Sequence, residues 1–502
     1  MAVFYYNGIA AQGTADGSSS SNASNDSAAA IAALGGGVEV TAGTFTLTAT
    51  QASGNSITGA GIVSISDPVS VVQALSLDTT IVATLSLSSI SDTAANLAGS
   101  SDAVLGLAIT VTASTTATAA EATTIGGFTK AVIYSISDTA AAVAGAGANA
   151  LDEAVNITAS GTATSSESAT ILAAANTGTS TIAAASMTAA QAEALTFNAT
   201  GNDTISSLTV TDAATVAQAT ALKADQTNGD ISTLSIAALT DTAANVATIS
   251  AAVLANVSGV VTATAYTTQT LSNVSAQTLN VVTADNAVLD SSKLSTADVI
   301  TIGAGTASGT AAAIDTLGDA KVTVAAGATL NISGYTTETL GGMTSSGTIN
   351  VTTSNNAVLD VTNLADATTI TIGAGTASGT ATDVNTLGEE KITIANGTTL
   401  NVSAYTNEEL AGFIKQGTGA LNVTTATGAE LDSAKLADAN TITIGAGTAT
   451  IDASTTDEAG LAAKTTVNNS TTLTINNYVN TDLSGLSNQG TGLIVVNTTT
   501  GA

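Results

Sequence analysis

Apolar and polar positions alternate in short bursts along most of the chain. Val38 and Val40, then Phe45 and Leu47, are each separated by one polar residue, and Lys321-Val-Thr-Val324 and Thr329-Leu-Asn-Ile-Ser333 repeat the pattern. A period of two predicts strands with one buried face. Between these bursts stand phrases of another kind. Ser-Asp-Thr-Ala-Ala-x-Leu occurs at 91–97 and, with Val in last place, at 137–143. There Ser or Asp can accept amide hydrogens at the start of a helical turn, and Ala-Ala sustains it. Ser91-Asp92 and Ser137-Asp138 are therefore expected to cap single helical turns. Near the N-terminus, Asn25 or Asp26 can cap a helix through Leu34, which Gly35 to Gly37 end. Ala-Gly and Asn-Gly pairs mark turns.

The bursts recur at fixed intervals. Tyr266-Thr-Thr-Gln-Thr-Leu271 returns as Tyr335-Thr-Thr-Glu-Thr-Leu340, Tyr405-Thr-Asn-Glu-Glu-Leu410 and Tyr478-Val-Asn-Thr-Asp-Leu483, at successive shifts of 69, 70 and 73. Thr-Ile-Gly-Ala-Gly-Thr starts at Thr301, Thr371 and Thr443. Earlier in the chain a shift of 46 superimposes Thr110–Ile125 on Asn156–Ile171 and Ile90–Leu97 on Ile136–Val143. A fixed period means one supersecondary unit stacked on copies of itself. Forty-six is two coils of 23, and 70 is close to three. The expected fold is all-β: a parallel β-helix or β-solenoid of roughly 23-residue coils with one-turn helices. Roughly 20 coils at ~4.8 Å each would stack to ~100 Å. Three regions follow: 1–75, a capping region and start of the stack; 76–255, with two-coil repeats; and 256–502, with three-coil repeats.

Composition narrows the interior. Ala, Thr, Ser, Gly and Val dominate, with one proline, no Trp and 2% aromatics, so the core must be thin and built from small side chains. The chain carries 38 acids against eight lysines, for a net charge of −30. Such a surface repels phosphate backbones and excludes nucleic acid as a partner. The first residues, Met1-Ala-Val-Phe-Tyr-Tyr, lack a basic region and a long apolar run, so no signal peptide is expected. No run of ~18 apolar residues suggests a membrane span. Cys is absent, which removes disulfides and thiolate metal sites.

One stretch carries a family likeness. Asp16-Gly17, Asn25-Asp26-Ser-Ala-Ala-Ala-Ile31, Gly35-Gly-Gly-Val-Glu-Val40, Ala42-Gly-Thr-Phe45 and Asn55-Ser-Ile-Thr-Gly-Ala-Gly61 follow one another in this order. This resembles the opening of pectate-lyase-like right-handed parallel β-helices, the type of phage tailspikes and polysaccharide enzymes, over about a tenth of the chain. The resemblance implies a short helix over the first coil and a strand that begins the stack. Thr41 stands where that family usually has proline, and the helix is about a turn short. The Ala/Thr-rich, arginine-free composition also resembles phage virion fibres and bacterial surface-layer proteins, which implies an extracellular place on a virion or cell surface.

Candidate chemistry is thin. Without His, Cys or Arg there is no Ser-His-Asp triad, thiol nucleophile or histidine metal site. The arginine-dependent machinery of the lyases that the N-terminus resembles cannot be assembled. A two-carboxylate glycosidase site would need only acids, yet the 12 Tyr and Phe give little for a sugar to stack on. Asp290, Asp360 and Asp432 recur in Val-Leu-Asp or Glu-Leu-Asp phrases and would align down one edge, either capping turns or forming a Ca²⁺ ladder. Tyr266, Tyr335, Tyr405 and Tyr478 would cover the core with their rings or offer a stripe to a host-surface glycan; the Glu-x-Leu that follows fits a short helical turn. No catalytic, cofactor or metal residue is assigned. The expected role is a non-enzymatic, self-assembling structural element of a virion appendage, with a surface-layer or adhesin protein as the alternative and a polysaccharide-cleaving β-helix behind both.

The last residues, Leu493-Ile-Val-Val-Asn-Thr-Thr-Thr-Gly-Ala502, repeat Ala420-Leu-Asn-Val-Thr-Thr-Ala-Thr-Gly-Ala429. The sequence thus enters a fresh copy of the repeat with no cap. An uncovered coil exposes a row of unpaired N–H and C=O groups, so a homo-oligomer, a polymer or a capping partner is expected there, and Lys or Pro at Ile494 and Val496 is expected to block assembly.

Overall fold

The computed structural model describes residues 4–6, 11–12, 38–40, 43–197, 202–454, 458–479 and 483–499. The helix expected over 26–34 and its glycine stop lie outside the described residues. The chain forms two compact units, Met1–Ala237 and Ala238–Ala502. Each is a parallel β-solenoid, and the one antiparallel pair among the described strands joins Phe4–Tyr6 to Ala11–Gln12.

In the first unit Thr44–Leu47, Ile62–Val69, Thr84–Asp92 and Ala108–Ala113 stack in parallel. A further sheet takes over at Ile136–Thr139 and continues through Ile157–Ala163, Ser180–Met187 and Asp203–Ala214. Apolar alternation decides which face is inside. Phe45, Leu47, Val63, Ile65 and Leu87 are buried, while the Thr and Ser between them are half-buried or exposed. Each fully buried Leu or Ile contributes roughly 1.5–3 kcal/mol.

Short helices punctuate the coils, and their caps differ from expectation. Thr93 and Thr139, one residue after the expected Ser-Asp pairs, supply the N-caps, each accepting a 3.3 Å bond from the amide three residues on. The aspartates cap the coil before. Ala49 N donates to Asp67 Oδ1 at 2.7 Å, Val71 N to Asp92 Oδ2 at 2.9 Å, Ala119 N to Asp138 Oδ2 at 3.1 Å and Ala189 N to Asp212 Oδ1 at 2.7 Å. One carboxylate thus serves two coils: Asp92 Oδ1 also accepts from Thr93 N. Burial pushes the Asp92 carboxyl up, but bonds from Asn96, Val71 and Thr93 outweigh that and hold it below the usual range. A depressed carboxyl contributes stability that is present above the unfolded pKa of about 4 and lost as pH falls through the folded value. Asp92→Ala should cost about 1–2 kcal/mol at neutral pH, with the loss shrinking in acid. An equal loss at every pH in urea titrations would refute this cross-coil cap. Several helices exceed the single turn expected: Ser165–Leu172 has eight residues, Val71–Thr80 ten and Val216–Asn228 thirteen.

In the second unit each coil gives two strands, which join alternate sheets. One seven-stranded sheet runs from Ala287–Leu289 to Ile414–Lys415, and another from Ala357–Leu359 to Ser487–Asn488. Inside, Leu330 pairs with Ile349, Val351 with Ile370 and Ile370 with Ile392, so the core is a ladder of aliphatic residues. Register offsets between neighbouring coils of this unit run from 17 (Tyr266↔Thr283) to 24 (Thr448↔Thr472), a range that includes the 23 expected.

These offsets correct the three-coil repeat. Leu400 is the counterpart of Leu330 in the next copy, yet it does not stack above it in the same sheet; it pairs with Ala377 and Leu421 in the next one. One copy is three coils plus part of a fourth, so each copy of the repeat starts one face further round. The shift of 46 behaves alike: Ile90 and Ile136 belong to different sheets. The Thr-Ile-Gly-Ala-Gly phrase turns a corner in each copy. Its second glycine has positive φ (66° at Gly305, 57° at Gly375 and 54° at Gly447). A Cβ on Gly305 would lie 2.3 Å from Asp285 Oδ1, the oxygen that accepts from Thr306 N at 2.7 Å.

Candidate functional site

The repeated tyrosine phrase has the most evident local task. Tyr266, Tyr335 and Tyr405 are completely buried, so no sugar can stack on their rings. Tyr478 is half-buried. Because each copy shifts by one face, each must start a new sheet, and a starting strand has an unpaired edge. The phrase closes it. Tyr335 Oη donates to Val358 O at 2.9 Å while Val358 N donates to Thr336 O at 2.8 Å, so both backbone groups of Val358 are satisfied. Tyr266 and Thr267 serve Val288 likewise, at 3.2 and 2.9 Å. In the third copy Glu430 N donates to Thr406 O at 2.7 Å, but Tyr405 Oη has no hydrogen-bond partner.

The fourth residue of the phrase holds the bend. Glu338 Oε2 accepts from Thr336 N at 2.6 Å and Thr337 N at 3.0 Å, and Glu408 accepts equivalently from Thr406 and Asn407. Gln269 does the same without charge. Burial pushes Glu338 and Glu408 up, but these amide bonds hold both below the usual range. The helical turn expected after each tyrosine is a bend pinned by this side chain, with Leu271, Leu340 and Leu410 buried behind it.

Asp290, Asp360 and Asp432 do not align down one edge. They follow strands 287–289, 357–359 and 429–431, which start three different sheets. Each pins its own turn: Asp290 Oδ1 accepts from Ser292 N at 2.9 Å, Asp360 Oδ1 from Thr362 N at 2.8 Å and Asp432 Oδ1 from Ala434 N at 2.8 Å. The side-chain and backbone donors of Ser292 and Thr362 keep Asp290 and Asp360 below the usual carboxyl range. Among the described residues no three acids lie close enough to hold a metal ion.

Carboxylates do come together at two corners that the sequence did not single out. Burial raises Asp366, and Asp319 adds to the rise, while Asp319 Oδ2 accepts from Gly342 N at 2.7 Å. Burial likewise raises Glu389, reinforced by Glu390 and Glu409. Both groups sit against backbone turns and line neither of the two surface grooves. A shallow groove of about 530 Å³ is lined by Val288, Asp290, Ser308, Thr310, Ala313 and Ser333, among others. Another, of about 520 Å³, includes Asp152, Ser166 and Thr170. Each contains one carboxylate, whereas glycoside hydrolysis needs a facing pair.

The terminal strand Leu493–Thr498 pairs on one side only, with Thr472–Tyr478, and Leu493 and Val496 are exposed. No helix among the described residues is long and apolar enough to cross a membrane. Compared with known proteins, the chain matches no family model, no curated protein and no solved structure.

Proposed function

We propose that the protein is a non-enzymatic structural element, an extracellular β-solenoid that assembles with its own copies. The observation that carries this reading is the use of the repeated polar residues. Tyr266 and Tyr335 close sheet edges, the aspartates and glutamates pin turns or cap neighbouring coils, and each of the two larger grooves holds one carboxylate. The chemistry that recurs in every copy holds the stack together. A virion appendage is the reading favoured by the tailspike-like N-terminal stretch, and a cell-surface layer is its alternative. Imaging of the native particle or cell surface separates the two.

The enzymatic alternative has a direct test. Incubation with acidic and neutral polysaccharides should release no reducing ends and no unsaturated products, because the chain has no His, Cys or Arg and its tyrosines at 266, 335 and 405 are sealed in the core, which leaves carboxylates and lysines for proton transfer. Sustained turnover that scales with protein concentration would overturn the structural reading.

A further inference from the structure

Charge is distributed unevenly over the second unit. The two seven-stranded sheets present outward rows of Thr, Ser and Asn in register. In the first, Ser308 pairs with Asn331, Asn331 with Asn350 and Asn350 with Thr369. Beside that row, Thr352 pairs with Thr371 and Thr371 with Thr393. The second sheet repeats the arrangement: Ser378, Asn401, Asn422 and Thr441 in one row, Thr424 and Thr443 in the other.

The rows are bonded along their length. Asn350 Nδ2 donates to Asn331 Oδ1 at 2.9 Å and Thr369 Oγ1 to Asn350 Oδ1 at 2.8 Å, and the second sheet repeats both bonds at 3.0 and 2.8 Å. No outward position of these two sheets carries an acid, in a chain of 38 acids; the one charged residue in their strands, Lys415 at the end of the first sheet, is half-exposed and donates to Asp438 O and Asn440 Oδ1. Asp285, Asp290, Asp315, Asp319, Glu338 and Asp360 all stand on the corners between strands.

We infer that these two charge-free faces are where copies of this chain meet side by side, grid against grid. The inference rests on the assembly reading above and names its interface. Two molecules of net charge −30 repel each other. They can approach closely only where no carboxylate is brought against another; the rows from Asn331 onward in the first sheet and from Asn401 onward in the second are such places, whereas Ser308 shares its groove with Asp290. Both partners carry the same ~4.8 Å strand spacing, so rows of hydroxyl and methyl groups interdigitate in register, as stacked polar ladders do. One face covers roughly 500 Å², from six strand steps of ~4.8 Å and a width of about five residues at ~3.3 Å. That is less than the ~800 Å² per partner of a stable pair, so one contact is weak. The repeat's step of one face places the same grid on successive sheets. Each copy can therefore engage more than one neighbour, and a lattice gains by multivalency.

The test charges the grids with either sign. Thr352 and Thr424 are exposed equivalents in the two sheets. In the full chain, Thr352→Glu/Thr424→Glu and Thr352→Lys/Thr424→Lys should each weaken association at least tenfold by light scattering and sedimentation, since either buries an unpaired charge. Thr337→Glu, on a corner, should leave it unchanged. Wild-type association should strengthen as salt shortens the screening length from ~30 Å at 0.01 M to ~8 Å at 0.15 M. Circular dichroism confirms that each variant is folded, and Thr352→Val/Thr424→Val, which keeps shape without charge, should still associate. If the Lys variant associates more strongly than wild type, net charge alone governs contact and the face assignment is wrong. If both charged variants associate normally, the copies meet elsewhere and the assembly reading survives without this interface. A wild-type chain that stays monomeric at every salt concentration overturns both.

Discussion

Raising the pH from 10 to 12 is expected to unfold the second unit while every carboxylate stays ionised. Burial pushes the Tyr266 and Tyr335 phenols up to about 12, with Asp290 adding to the first and Asp360 and Glu338 to the second. Tyr405 is pushed up further, by burial and then by Glu408, Asp432, Glu409 and Glu430. In the first unit burial and Glu153 raise Tyr134 to about 12. The unfolded chain releases these protons near pH 10. A group whose folded pKa is raised contributes stability that is complete below its unfolded pKa and lost as pH rises through the folded value. Each such rise is worth at most about 2.7 kcal/mol. Tyr266 and Tyr335 together therefore remove up to about 5 kcal/mol from the second unit as pH rises through 12, before Tyr405 is counted. That is as large as the whole stability of many domains. The first unit, where Tyr134 is the one phenol raised in this way among the described residues, should outlast it. The tyrosinate absorbance of the second unit's buried rings should rise in a cooperative step that coincides with partial loss of the strand signal in circular dichroism. A gradual rise near pH 10 with the fold intact would mean that the rings are not sealed in the core.

The sequence announced strands, their inward faces and the tandem repeat because those follow from local alternation and from recurrence. Leu330 and Ile332 alternate with Asn331 and Ser333, and the structure buries the first two and exposes the others. The helix caps were legible to within one residue. Thr93 and Thr139 hold the position because their hydroxyls accept the amide three residues on, which frees Asp92 and Asp138 for the coil before. That second role reaches back across a whole coil and leaves no local signature beyond an Asp that recurs just before the Thr.

The step of one face per copy was illegible for a different reason. A period of 70 fixes only a sum, and coils whose lengths run from 17 to 24 divide it in more than one way. Register alone decides, and once decided it explains the misplaced aspartate ladder and why the tyrosines cover the core, as one of the two readings of them expected. The aspartates at 290, 360 and 432 cannot form one ladder if they start three sheets, and the tyrosines are needed inside because each copy has a new edge to close.

Tyr335 is where that edge closure can be measured. Tyr335→Ala should destabilise the second unit by about 3–5 kcal/mol, the cost of emptying an aromatic site in a packed core. A further part comes from Val358 O, which loses its donor. Tyr335→Phe keeps the ring and removes only the hydrogen bond, so it should cost about 0.5–1.5 kcal/mol. The same change at Tyr405 should have the opposite tendency. Its hydroxyl is buried without a partner, and Phe relieves that desolvation while filling the same space. Tyr405→Phe should therefore be neutral or stabilising, although the two tyrosines occupy equivalent places in successive copies. Urea midpoints, taken with unchanged m-values, give the three differences. Equal losses for the two Phe variants would show that ring packing alone matters and that the sheet edge at Val358 is closed by something other than Tyr335. A loss below about 1 kcal/mol for Tyr335→Ala would remove the tyrosine phrase from the architecture altogether, because a side chain that seals a core and an edge at once cannot be deleted at so small a cost.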